Sequence, residues 1–133
     1  MMQPLGRRGV SAAEFAIMAP VLILLVLGTY DLGNAIQLGL RLERVARAGA
    51  EYAIANSSDE TAIKNFMLSA SPDLLAAEVT VSCGCAGVAM VSCSASCAST
   101  AARTVSIAVQ RSVTPLLLSA VSKGVGNAVV RLR

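Results

Sequence analysis

The longest signal in the chain is a stretch from which charge is missing. From Phe15 to Tyr30 no residue is charged, and Val, Leu, Ile and Met fill the centre. At 1.5 Å per residue this run spans about 24 Å, short of a hydrocarbon core of ~30 Å. Extended back over Ala12 and Ala13 and forward over Leu32 to Ile36, it reaches full width with one carboxylate near each end, Glu14 and Asp31. The pattern predicts a transmembrane helix over Val10–Ile36, or a helix buried among copies of itself. Pro20 lies inside it, where it removes one hydrogen bond and produces a kink or local loosening.

After this stretch the period becomes amphipathic. Leu38, Leu42, Val45, Gly49 and Tyr52 recur at three- and four-residue steps, widened by Ala46 and Ala53. Arg41, Arg44, Ala48 and Glu51 lie around the other face. This predicts a helical continuation over 37–56 that packs on the chain's own small domain or on another subunit. Gly33 and Gly39 weaken the junction. The polar cluster Asn56–Glu60 stops the helix, and Ser57 with Glu60 has the spacing of a capping box. A short helix is expected over Asp59–Ser69, with Ala62, Ile63, Phe66 and Met67 on one face, ended by Ser71-Pro72-Asp73.

From Glu78 the period falls to two. Val79, Val81 and Cys83 alternate with polar residues, as do Val105, Ile107 and Val109 within Arg103–Val113. Both read as half-buried strands. Ala86–Ser92 is a second short strand or a loop, Pro115 ends the Arg103–Val113 strand, Leu116–Val121 is a short helix, and Val125–Arg133 is a final strand. The expected fold class is α+β. A long N-terminal helix, transmembrane and then amphipathic, carries a small C-terminal domain of a short helix and an antiparallel sheet. The domain plan is a basic leader over 1–9, a transmembrane helix over 10–36, its amphipathic continuation over 37–56 and an extracytoplasmic domain over 57–133.

Composition narrows the chemistry. The 133 residues carry a net charge of +3 and contain neither histidine nor tryptophan. Without histidine there is no Ser-His pair and no common zinc-hydrolase set. Lys64 and Lys123 have no setting that marks a catalytic amine. The glycines cradle no phosphate, and no basic-aromatic cluster suggests nucleic acid. No enzyme activity and no cofactor are expected.

An acid within an apolar run costs ~2.5–3.5 kcal/mol on insertion scales when central, and less near an end. Glu14 either sits at the interface beside Arg7 and Arg8, or has a dedicated cationic partner in the membrane. The segment Gly9-Val-Ser-Ala-Ala-Glu14-Phe15 resembles the processing site of type IV pilin-like precursors. With Arg7-Arg8 before it and A-x-x-x-P-V-L-x-L-L after it, it is most similar to the TadE-like family. These are pseudopilin-like proteins of the tight-adherence (Flp) pilus assembly system. The resemblance implies prepilin-type processing between Gly9 and Val10 by a prepilin peptidase. It also implies that Glu14 offers its carboxylate to the terminal amine of a neighbouring subunit, with Phe15 beside it. The implied partners are the lipid bilayer and other pilin or assembly subunits, met through the N-terminal helix. The implied role is that of a minor pilin or pseudopilin. Ordinary signal-peptide cleavage is the rival reading, but no clean A-x-A site follows the apolar run.

Four cysteines, Cys83, Cys85, Cys93 and Cys97, bracket a loop rich in Gly, Ala and Ser. An even count in a small extracytoplasmic region suggests disulfides. Three pairings are possible; pairs between the two clusters are favoured because a C-x-C ring is strained. The alternative function is a membrane-anchored thiol module that binds zinc or exchanges redox equivalents. Its C-x-C spacing is tighter than a usual zinc pair, and no base lies beside it to activate a thiol. Arg7 and Arg8 favour a cytoplasmic amino terminus. Arg41, Arg44 and Arg47 weaken that count. The cysteines and the resemblance decide for a single-pass protein of a bacterial inner membrane, with its domain periplasmic or extracellular.

Overall fold

The structure is a computed structural model that describes residues 7–86, 88–90, 92–97 and 101–132, with side chains from Ala12 onward. Most of the leader expected over 1–9 therefore lies outside the described residues. Helix α1 runs from Arg7 to Ala55 without a break, about 73 Å at 1.5 Å per residue. It passes through Pro20, Gly28, Gly33 and Gly39. A second helix, α2, spans Glu60–Ala70. Four strands follow: β1 Val79–Cys85, β2 Val88–Ala89, β3 Arg103–Ser112 and β4 Lys123–Leu132. They form one antiparallel sheet in the order β2-β1-β3-β4. The α+β architecture expected from the pattern is the one observed.

The sheet and α2 pack only on the C-terminal part of α1. Leu42, Val45, Ala46, Ala50 and Ala53 form the buried stripe of the helix. They meet Ile63 and Met67 of α2 and Val79, Val105, Ile107 and Val109 of the sheet. The stripe advances by three and four residues and each strand alternates, so both periods point at one core. Tyr52 is half-buried and stacks on Phe66 with ring centroids 4.5 Å apart. Small residues let the layers approach. A methyl added at Gly49 would meet the Met67 thioether and the tip of Ile107, where α1, α2 and β3 converge.

The inward face of β4 reads Gly124, Gly126, Ala128, Val130, Leu132. Side-chain size rises along the strand from Gly124 to Leu132. At Gly126 strand meets helix backbone to backbone: an added methyl would land on the Leu42 carbonyl group and the Glu43 nitrogen. Leu38 and Leu42 side chains occupy the equivalent space at Gly124.

Two local expectations change. Helix α2 is capped by Asp59, not by a Ser57–Glu60 box. The Asp59 carboxylate accepts from the Ala62 N–H at 2.9 Å. Asp59 immediately precedes the first helical residue and reaches the third; Ser57 stands too far out and faces Arg103 instead. The helix expected over 116–121 shrinks to a single 3-10 turn at Ser119–Val121, because the backbone before it wraps a carboxylate of α1 (below). The tail pairs along its length with β3 from Ser112↔Lys123 to Arg103↔Leu132.

Gly126→Ala should destabilise the head by ~1–3 kcal/mol or more, because helix backbone cannot yield as a side chain can. Gly124→Ala should cost less, because only leucine side chains stand in the way. Denaturant unfolding of the detergent-solubilised chain checks this. Equal, small losses at both positions would contradict the backbone contact.

Candidate functional site

Among the described residues, one helix is long and apolar enough to cross a membrane. Nothing among the described residues packs on its N-terminal part. Phe15, Ile17, Met18 and every residue from Val21 to Val26 are exposed. From Ala12 to Tyr30 the free rod is about 28 Å long, close to the width of a hydrocarbon core. Full burial of each large apolar side chain is worth roughly 1.5–3 kcal/mol, so a rod carrying this many is unstable in bare water. Its polar groups are few. The Thr29 hydroxyl turns back on the helix and lies 3.0 Å from the Leu25 carbonyl and 2.9 Å from that of Val26. Glu14 and Phe15 stand exposed near the tip, Phe15 at 68%. Among the described residues no ion pair or hydrogen bond involves Glu14.

At Asp31 the environment changes within one residue. Tyr30 is exposed, whereas Asp31 is 4% exposed. The ten-residue connection from β3 to β4 descends beyond the sheet, closed at its top by the Val113 N–H donating to the Ser122 carbonyl at 2.8 Å. At its bottom the N–H groups of Leu116, Leu117 and Leu118 donate to the Asp31 carboxylate at 2.9, 2.7 and 2.9 Å. Three donors converging on one anion make a charge-assisted cluster, stronger than neutral hydrogen bonds. A carboxylate that looked costly at the end of an apolar run is thus fully partnered. Sequence reasoning missed this role. The available signal was a lone acid at the end of the run and a distant Pro-Leu-Leu-Leu turn, and nothing local connects them.

The cysteines lie at the opposite end. Cys83 pairs with Cys93 and Cys85 with Cys97, with Cα separations of 5.1 and 5.6 Å. Cys83 and Cys85 are two residues apart on β1 and so share one face. Both bridges tie the returning loop over that face, and Cys93 joins the core. Arg103, at the start of β3, donates to the Ala95 carbonyl and to Ser57, holding loop and helical turn together. All four thiols are consumed, so the zinc or exchange reading has no thiolate left to work with. Glu14 and the α1–α2 turn beneath this loop are about 60 Å apart along the helix. The sequence-identified residues therefore form two separate places, not one site. Gly9 and Val10 lie on the first turns of α1, and their side chains are not described.

Between these ends, Asp73 bridges Arg41 of α1 at 2.6 Å and Arg111 of β3 at 2.8 Å, and Arg111 also reaches Glu78 at 3.6 Å. The Arg41–Asp73 pair is exposed and worth ~0–1 kcal/mol, whereas Arg111 and Glu78 are half-buried.

Fold and exposure together define an α+β head carried on a helix whose other half is apolar and uncovered. The family described as TadE-like protein matches residues 9–51, so the resemblance read from Arg7 to Asp31 holds over that stretch and extends into the packed half of α1. The match does not reach α2 or the sheet. No curated protein and no solved structure matches the chain significantly.

Asp31→Ala should leave the sheet amides protected in hydrogen exchange and abolish protection at Leu116, Leu117 and Leu118. Unchanged protection there would remove the clamp. Replacing the second bridge, Cys85→Ser with Cys97→Ser, should lower unfolding stability by ~2–4 kcal/mol, read by denaturant titration under non-reducing conditions.

Proposed function

We propose that this chain is a membrane-anchored structural subunit in the assembly of a tight-adherence pilus, a minor pilin or pseudopilin. The observation that carries the reading is the uncovered apolar rod of α1 lying inside the TadE-like match. A rod of this width has two favourable surroundings, lipid and sibling rods, and a pilus subunit uses both in turn. Leu32, Ile36 and Leu40 extend the exposed apolar surface at four-residue steps beyond Asp31. They supply a seam for a neighbouring helix at the outer end of the span and just beyond it, on a face that the head leaves open.

In this reading the span covers Val10–Ile36 of a bacterial inner membrane, the amino terminus is cytoplasmic and the head lies outside. Two disulfides support an oxidising compartment for the head. A prepilin peptidase cuts after Gly9. The new amine at Val10 pairs with Glu14 of a neighbouring subunit, Phe15 packing beside it. A paired charge in low dielectric makes the carboxylate tolerable where an unpaired one is costly. The role is mechanical: the rod is held in lipid until a sibling replaces the lipid.

The mass of the mature chain from its native host tests processing: a start at Val10 is expected, and retention of Met1 would remove the cleavage step. Glu14→Ala should insert into membranes normally yet fail to assemble, read by fractionation and cross-linking of the subunit to its neighbours. Normal assembly by this variant would eliminate the pairing role.

A further inference from the structure

We infer that the Leu116–Leu117–Leu118 turn is a second membrane contact, entering the outer interfacial layer of the bilayer beside α1. The inference rests on the membrane-spanning reading of α1 and adds a surface on the head itself.

Three observations carry it. The first is position. The Asp31 carboxylate pins the turn to the helix one residue beyond exposed Tyr30. The leucines therefore lie at the level where the free rod ends, continuous with its apolar surface. If the span reaches Ile36, the turn sits at that depth or below it. The second is exposure. Leu116 is 65% exposed, Leu117 45% and Leu118 40%. Three consecutive uncovered leucines form a contiguous patch at the tip of a loop, where surface segments are ordinarily polar. The buried core begins at Leu42, farther up the helix, with Leu38 packed against it.

The third observation concerns the backbone. Non-helical segments are kept out of lipid because unsatisfied N–H and C=O groups there are costly. In the interfacial layer water still reaches a turn's carbonyls, so such a turn must above all partner its N–H groups. This turn has none to satisfy between 115 and 118. Pro115 lacks an N–H, and the next three donate to Asp31. The turn can leave water without losing a donor's partner. Lys123, exposed at the start of β4 where that strand emerges from the loop, adds a positive charge just above the turn. Its place suits the anionic headgroup layer.

The consequence is orientational. A single helix can tilt and spin in a bilayer. A helix with a leucine turn rigidly fixed to one side has a preferred face toward the membrane surface. The same clamp leaves the Leu32, Ile36 and Leu40 face in a defined direction for a neighbour.

The chain has no tryptophan, so single tryptophans report without interference. The full chain is reconstituted into mixed phosphatidylcholine–phosphatidylglycerol vesicles, with shallow or deep brominated lipids as quenchers. Ile23→Trp reports the span, Leu117→Trp the turn and Val129→Trp the outward face of β4. Emission from Leu117→Trp is expected to be blue-shifted, quenched by shallow brominated lipid and shielded from iodide. Val129→Trp should be red-shifted and open to iodide. Adding Asp31→Ala to Leu117→Trp should reduce the lipid quenching while Ile23→Trp stays buried. If Ile23→Trp is quenched by deep brominated lipid and Leu117→Trp is open to iodide, the turn proposal fails and the anchor stands. If Ile23→Trp itself escapes lipid quenching, both fail. Shielding of Leu117→Trp without lipid quenching, lost on dilution with excess lipid, would identify a second copy as the occupant and overturn the proposal. Native near-ultraviolet dichroism and intact bridges verify the fold of each variant.

Discussion

The structure depends on one close approach: strand β4 lies against α1 with backbone on backbone at Gly126 and Leu42. That contact sets the distance between sheet and helix. Farther along the strand the inward positions are the larger Ala128, Val130 and Leu132, each of them half-buried. Because the layer is thin here, the helix side of the core can be built largely from alanine. Ala46, Ala50 and Ala53 are buried beside the bulkier Leu42 and Val45. A core this poor in aromatic residues gains little from any one side chain, so tight layering and two covalent ties carry more of the burden.

A single continuous helix is thereby divided between two surroundings. Below Asp31 its sides are apolar and uncovered; above it one stripe is covered by the head. The divider is the Asp31 cluster. It gives an acid in an awkward place three donors, and it brings the β3–β4 connection down to the level where the free rod begins. The disulfide loop sits at the other end of the head, tied by Arg103 to the turn after α1. The head thus presents a leucine turn at its base and a cross-linked loop of small residues at its far end. This polarity suits a subunit whose base belongs to a membrane or shaft and whose tip faces outward.

Much of this was legible from local periodicity. The apolar run, the amphipathic continuation through Leu42, Val45 and Gly49, and the strands around Val79–Cys83 and Val105–Val109 repeat at periods that helices and strands impose. The TadE-like resemblance was carried by residues adjacent in sequence, from Arg7-Arg8-Gly9 to Glu14-Phe15, and needed no folding to be seen. The cap of α2 differs from the expected one because Ser57 and Asp59 both stand near the helix start, and only the direction of the entering chain decides whether the Ser57 hydroxyl or the Asp59 carboxylate faces the free N–H.

What the sequence by itself determined is whatever depends on neighbours within a turn or a strand pair: the helix, its two faces, the α+β class and the family resemblance of its first third. What only the tertiary structure decided is whatever joins distant positions. Asp31 meets Leu116 across 85 residues, and Gly126 meets Leu42 across a sheet. Cys83 chooses Cys93 from three possible pairings. No periodicity encodes these meetings, because each is set by how far a packed layer carries one segment toward another.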